Sequence, residues 1–521
     1  MFVNAEAHGL AAHLAVEPAA LGDAPRSRAE PIELPTATAT VLEAWGGVSE
    51  GPLAARSGAD ESPLDPARPG AVSDSAWGLP YQRFVIDASG LQAGDLVGWS
   101  GSTTEGGEVQ LSAWSDGVWR RIDSGSTGTL AGPLETGDIV DGRVELLIQD
   151  GPRDTPTVTT DRDGALEGPE DYDFAITHIT DTQYLSESYP EVYSQLVSWV
   201  ADNADARKIS FAVHTGDLIQ NWVDPDQNDA RARIEFDRAS AIQAILDDAG
   251  VPNTVLPGNH DNKRGVTNDL FNEYFPPERY SGEEWYGGSI APGDNSANFA
   301  TFEEGGARFL VLNLPYAYGE AEIDWAEQVV TGHPDHNVIV ATHEHLQPKT
   351  VEVGAHRSTG SRWVSRGGDL WERVIAPNRN VVLVLSGHFH GLGQIVTENA
   401  GGIEGHTVVE VLADYQEFRT HSGERATGFF RLLQFDLDGG AVAVDTRSVR
   451  LAESYSAEYD YLQFVPENGH PAAASNSRPW NIVDTGLQGR YDEADDEFTV
   501  WLQFQHPKTV STDAVLASPA P

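Results

Sequence analysis

The chain has 521 residues, 40% of them hydrophobic and 9% aromatic. That is enough to bury at least one full core, which excludes wholesale disorder, and at about 100–200 residues per domain it predicts two to four domains. A formal net charge of −47 repels nucleic-acid phosphates and anionic membrane surfaces, so a general DNA or RNA binder is excluded, and the absence of Cys removes disulfide scaffolds, thiolate zinc sites and cysteine nucleophiles.

The N-terminus, MFVNAEAHGLAAHLAVEP, lacks a basic start and a clean apolar core, so it does not read as a signal peptide. High acidity and the single methionine, Met1, lead us to expect an extracellular or cell-surface protein whose signal peptide has been removed. No run of about 18 apolar residues occurs, so no transmembrane helix is expected. Residues 1–36, rich in Ala, Pro, Glu and Asp, read as a flexible N-terminal arm. Residues 37–150 carry short β-like runs separated by turn signals such as Asp116-Gly117 and Asp141-Gly142. Trp114 to Trp119 reads as a hairpin with Asp-Gly at its tip. Regular short strands predict an all-β sandwich. Residues 151–170, rich in Pro, Gly, Thr and Asp, read as a linker.

From residue 171 to 455 strands alternate with helices, which predicts an α/β layered core. FAITHIT is a buried-type strand. A helix follows, with Pro190 at its start and Val192, Leu196, Trp199 and Val200 on one face. Residues 229–249 form a second helix with Ile234, Ala241, Ile245 and Leu246 on its apolar stripe. Residues 456–521 are a mixed C-terminal extension with one clear strand, EFTVWLQFQ.

Five apolar strands end in metal-competent side chains: Asp181 and Gln183, then Asp217, then Asn259 and His260, then His343 and His345, then His388 and His390. Sites in α/β sheets form beyond the carboxyl ends of strands, so one sheet would bring all five ends to one crevice. Each piece alone has a plain reading: Asp-Thr-Gln and Gly-Asp are common turns, and a strand-end His is more often structural than ligating. His178 and His214, inside their strands, read as packing or support. The joint order of the five changes the balance.

That order resembles the calcineurin-like metallophosphoesterase superfamily, in the Asp-x-Gln variant of secreted bacterial members. The pattern stands here as Asp181-Thr-Gln183, Gly216-Asp217, Gly258-Asn259-His260-Asp261, His343 and Gly387-His388-Phe389-His390. The resemblance implies a four-layer α/β/β/α sandwich behind the N-terminal β-sandwich. It implies two divalent metal ions (Mn, Fe, Zn or Mg), one held by Asp181, Gln183, Asp217 and His390, the other by Asp217, Asn259, His343 and His388. Asp217 would be the bridge. It further implies phosphate-ester hydrolysis by metal-bound hydroxide, with His260 assisting the leaving oxygen and Asp261 orienting His260. An amide oxygen at Gln183 is a harder ligand than imidazole and favours Mn, Mg or Fe over Zn there.

Candidate substrate-binding residues are His345, Asn221 and Tyr415, with Trp222 and Gln416 beside them; structural packing is an equal alternative for each. Arg357, Arg362 and Arg366 form a polar stretch that reads as a solvated loop. The expected activity is a phosphodiesterase or broad phosphoesterase acting on a small phosphate ester. The alternatives are a phosphomonoesterase or phosphoprotein phosphatase, another metal-dependent hydrolase, or a non-catalytic cell-wall glycan-binding protein that docks through the N-terminal sandwich.

Overall fold

The computed structural model describes residues 35–519 except 36, 50–52, 54, 59–60, 65–69, 74–77, 104–108, 126–127, 151–165, 167, 350–352, 359–365, 419–423, 438, 452–489, 492 and 506–507. Most of the expected arm, most of the expected linker and much of the expected C-terminal extension lie outside these residues.

The first unit is all-β. Its strands are β1 (Val41–Ser49), β2 (Ser62–Pro63), β3 (Gly70–Ser73), β4 (Leu79–Asp87), β5 (Leu96–Thr103), β6 (Val109–Ser115), β7 (Val118–Gly125), β8 (Thr129–Pro133), β9 (Ile139–Val140) and β10 (Arg143–Asp150). One sheet runs β2-β1-β4-β10-β6-β7, with β9 beside β10. The Asp116-Gly117 hairpin forms as expected: Trp114 faces Trp119, and both turn residues take positive φ. That geometry is what Asp-Gly supplies in a two-residue turn. The second sheet runs β3, then a strand from the far end of the chain, then β5 and β8. Trp99, Phe84, Ile86, Leu111 and Leu146 fill the space between the sheets.

Two more sheets follow. The first holds β11 (Phe174–Ile179), β12 (Ile209–His214), β13 (Asn253–Val255), β23 (Phe429–Asp436), β24 (Ala441–Ser448) and β25 (Phe498–Trp501), in the order β13-β12-β11-β23-β24-β25. The second holds β14 (Tyr286–Ala291), β15 (Asp294–Glu304), β16 (Ala307–Leu314), β17 (Asn337–Thr342), β20 (Val381–Ser386), β21 (Gly391–Thr397) and β22 (Val408–Asp414), in the order β14-β15-β16-β17-β20-β22-β21. A short pair, β18 (Leu346–Gln347) with β19 (His356–Arg357), stands apart.

The two sheets pack face to face. Strand residues alternate between faces, and here both faces are apolar. Phe174 and Ile176 join Phe309, Val311, Ile339 and Leu383 in the central core, whereas Ala175 and Ile179 turn outward to the helices. Helices α1 (Gln183–Ser188), α2 (Pro190–Asp202) and α3 (Asp229–Ala249) cover the first sheet through Leu196, Val197, Val200, Phe236 and Ala239. Helix α4 (Asp269–Tyr274) packs against α3 and β15, α5 (Pro277–Tyr280) against β14, and α6 (Glu320–Gly332) covers the second sheet. The result is the expected four-layer α/β/β/α sandwich. No described helix is long and apolar enough to cross a membrane.

The apolar stripe of α3 is rotated from the one expected. Ile234 is exposed, and Ala232, Phe236, Ala239, Ile242 and Leu246 are buried together with Glu235 and Gln243. Glu235 hides its carboxylate by accepting bonds from the Gln220 and Asn221 backbone N–H groups and from Asn221 Nδ2. A buried face can hold a charge that is fully hydrogen-bonded, and a pattern of apolar residues alone misplaces such a face.

The segment expected as a C-terminal extension contributes to two units. β25 closes the first α/β sheet, and β26 (Lys508–Ser518) enters the N-terminal sandwich between β3 and β5. There Trp99 Nε1 donates to Thr512 Oγ1 at 2.6 Å, and Val510 and Val515 join the sandwich core. The α/β unit is therefore inserted within the sandwich. Removing residues 508–521 should expose that core, at about 1.5–3 kcal/mol for each buried valine alone. A fragment of residues 172–505 should keep metal binding, because it leaves no orphaned strand behind. Thermal unfolding of both truncations, followed by Trp fluorescence, checks this.

Candidate metal centre

The five strand ends come from two sheets, not from one. β11, β12 and β13 are parallel neighbours in the first sheet, and β17 and β20 are parallel neighbours in the second. Their carboxyl ends meet along one edge of the sandwich. A single parallel sheet would have strung the five ends in a row, whereas two facing sheets close them into a cluster.

Sharp turns bring the side chains together. Asp181, Asp217 and His388 take φ of 52°, 56° and 74°. Positive φ is uncommon for residues with a Cβ and costs conformational energy that the surroundings must sustain. The motif glycines make room for these turns. A Cβ on Gly258 would lie 2.2 Å from Asp217 Oδ1, and one on Gly387 2.3 Å from Asp181 Oδ2.

Asp217 stands at the centre. Its Oδ1 accepts from the His260 backbone N–H at 2.9 Å and lies 3.3 Å from His343 Nε2. Its Oδ2 lies 3.3 Å from Gln183 Nε2. Asn259 Oδ1 is 3.0 Å from His343 Nε2, and the His343 and His388 rings are 4.9 Å apart. The ligand atoms of Asp217, His343 and His388 all fall within 4.8 Å of one another. Asp181 accepts from Thr180 Oγ1 at 2.6 Å and from the His388 backbone N–H. His343 Nδ1–H donates to the Thr215 carbonyl at 2.7 Å, which turns Nε2 toward Asp217.

Among the protein's own charges, burial disfavours ionisation throughout this cluster. The His343–Asp217 attraction nevertheless outweighs it, pushing His343 up to about 10 and holding Asp217 below the usual carboxylate range. Burial, with Asp217 nearby, pushes Asp181 up to about 7. Burial lowers His178 and His214 to about 3, so both are neutral supports. His214 Nδ1 accepts from the Gly216 N–H, which leaves Nε2–H to donate to Thr182 Oγ1 at 2.9 Å.

The donor set fits divalent cations. Gln183 Oε1 is buried without a hydrogen-bond partner, because its amide nitrogen faces Asp217 Oδ2 and Gln416 Oε1. A cation at His343 must displace the proton that Asp217 favours there. Metal affinity should therefore rise with pH from neutrality toward about 10, where His343 loses its proton unaided. Calorimetry in buffers of different ionisation enthalpy would read the released proton.

Several expected roles change. Asp261 does not touch the His260 ring; its carboxylate accepts from the backbone N–H groups of Leu218, Ile219 and Gly258 at 2.8–3.0 Å. It thus fixes the loop that carries Asp217. The His260 ring is held instead by Nδ1–H donating to the Gln220 carbonyl at 2.8 Å. His345, which the sequence points toward the substrate, is buried against Glu410 at 2.7 Å, and Arg357 grips the same carboxylate while stacking on Trp371. Asn221 is tied to Glu235 and Glu187. The Tyr415 hydroxyl bonds Arg431 and Asp496 in a buried cluster, although its ring lines a cavity beside Asp181 together with Tyr184, Gln416 and Arg425. Trp222 Nε1 donates to Asp229. Arg366 pairs with Glu320 and Asp369, and Arg362 lies outside the described residues.

Sequence reasoning did not assign Glu344, Glu417 or Tyr316. Glu344 Oε2 is 3.6 Å from His388 Nε2, and Glu417 Oε1 is 3.9 Å from His390 Nδ1. Tyr316 lies against the His343 and His388 rings. Glu344, between two histidines, was the one with a local signal.

Residues 174–392 match the family model for calcineurin-like phosphoesterases. An uncharacterized protein of Bacillus subtilis (strain 168), YvnB, is 30% identical over 387 residues, covering 71% of this chain and 27% of that protein. The chain thus spans about a quarter of the length of that relative. A dimetal phosphatase from Danio rerio is 14% identical, with 53% of this chain and 97% of that chain covered and a TM-score of 0.36. A protein from Thermus thermophilus is 16% identical, covering 53% of this chain and 100% of its own, with a TM-score of 0.31.

Proposed function

From the premise that residues 174–392 form a calcineurin-like phosphoesterase domain, we propose that this protein hydrolyses small phosphodiesters with two divalent metal ions. The single observation that carries this reading is Asp217, whose two oxygens face both halves of the donor set: Gln183 on one side, and on the other His343, which itself meets Asn259 Oδ1. Asp181, Gln183 and His390 would hold one ion; Asn259, His343 and His388 would hold the other, with Asp217 shared. At the first site the oxygens of Asp181, Gln183 and Asp217 favour Mn²⁺, Fe or Mg²⁺ over Zn²⁺. Two such ions offset phosphate charge and make water nucleophilic near neutral pH.

The chain's own groups do the rest. His260 Nδ1–H is committed to the Gln220 carbonyl, so Nε2 is the nitrogen that can hand a proton to the leaving oxygen. Asp217 Oδ2 lies 3.9 Å from that nitrogen. Asp261 keeps the Asp217 loop rigid.

The preference for diesters rests on charge. A net −47 opposes anions, a diester carries one negative charge, and a monoester carries about −1.5 to −2 near neutral pH. The same acidity suits an extracellular or cell-surface setting. The test compares kcat/KM for bis-nitrophenyl phosphate and nitrophenyl phosphate at low and high salt. Salt should help the monoester more. Strong monoester preference unmoved by salt would mean that pocket shape, and not charge, sets specificity; no turnover of any phosphate ester would favour a binding role.

A further inference from the structure

We propose that Glu344 and Glu417 are positioning residues for the two histidines of Gly387-His388-Phe389-His390, each fixing which ring nitrogen faces the cation. The inference rests on the two-metal reading above and adds two residues and a tautomer assignment to it.

Both carboxylates are buried, Glu344 at 1% and Glu417 at 2% exposure. Burying a carboxylate is costly, so each must have compensating partners. Glu344 Oε1 accepts from Ser358 Oγ at 2.5 Å, and Oε2 points to His388 Nε2 at 3.6 Å. Glu417 Oε2 accepts from Arg425 Nη2 at 2.9 Å, and the Arg425 guanidinium lies over the Tyr184 ring at 4.2 Å. Glu417 Oε1 has no hydrogen bond and points to His390 Nδ1 at 3.9 Å. In each pair one carboxylate oxygen is anchored and the other is aimed at a ring nitrogen. Closing either gap by about 1 Å would form a charge-assisted bond of usual length.

A histidine that donates from one nitrogen ligates through the other. His343 already shows the arrangement, with Nδ1–H on the Thr215 carbonyl. The two glutamates impose opposite choices on the neighbouring pair. His388 keeps its proton on Nε2 and ligates through Nδ1. His390 keeps its proton on Nδ1 and ligates through Nε2. Two rings two residues apart, in a tight turn, can then serve different ions without competing for one.

The experiment uses the full chain. Nitrogen-15 histidine spectra of the Zn²⁺-loaded protein, assigned with His388→Ala and His390→Ala, should show these opposite tautomers; the same tautomer at both overturns the proposal. Mn²⁺ binding is then measured for Glu344→Gln and Glu417→Gln. Each should weaken one of two sites by roughly 10–100-fold and spare the other. On a His390→Ala background, Glu417→Gln should add nothing, whereas Glu344→Gln should weaken the remaining site. Uptake of fewer than two ions by the unaltered chain overturns the two-metal reading and this inference with it. Two ions bound with unchanged affinity in both variants overturns this inference alone. The tautomer measurement decides even if a variant does not fold.

Discussion

Asp217→Asn is expected to lose metal and activity together. The substitution keeps size and shape but removes the charge that faces both halves of the donor set. Two cations a few ångströms apart repel each other, and a shared carboxylate is what offsets that repulsion. The change also withdraws the partner of His343, whose proton Asp217 favours. The loss should therefore exceed the roughly 10–100-fold in metal affinity or activity that removal of a supporting residue costs. Metal analysis after dialysis and turnover of a chromogenic diester measure it. A variant that keeps both ions and a near-normal rate would show that another group bridges them.

His260→Ala should separate chemistry from metal binding. Its neighbour Asn259 carries the amide oxygen that stands 3.0 Å from His343 Nε2, while the His260 ring is held by the Gln220 carbonyl. Its backbone N–H, which donates to Asp217, survives the substitution. Metal content should stay unchanged while the rate falls by roughly 10²–10⁴-fold, the span of acid–base assistance. The loss should shrink for nitrophenol esters, whose leaving oxygen needs little protonation. Metal loss in this variant would mean that the ring belongs to the donor set. By contrast, Asp261→Asn should damage metal binding rather than proton transfer, because its carboxylate braces Leu218, Ile219 and Gly258 around Asp217.

What the amino-acid sequence determines by itself is what a few consecutive residues encode. Short, nearly continuous apolar runs specify β11, β12, β17 and β20, since a strand's side chains alternate faces and both faces of these strands are buried. The glycines at 216, 258 and 387 mark turns too tight for a Cβ, and the donors beside them follow in chain order. Asp-Gly at 116–117 specifies its hairpin for the same local reason. Only the tertiary structure decided what depends on residues far apart in the chain. That the strand ends arrive from two sheets follows from how the sheets face each other, which no strand records. Asp261 reads as a partner for its neighbour His260, yet beyond Gly258 its hydrogen bonds go to residues 218 and 219 of another loop. Glu417 comes beside His390 only because β22 and β21 pair. β26 meets β5 across more than 400 residues through the Thr512–Trp99 bond and two buried valines. Local patterns are legible because their energies lie within one turn or one strand. Pairings of this kind are set by complementarity between surfaces, and that exists only after the chain has folded.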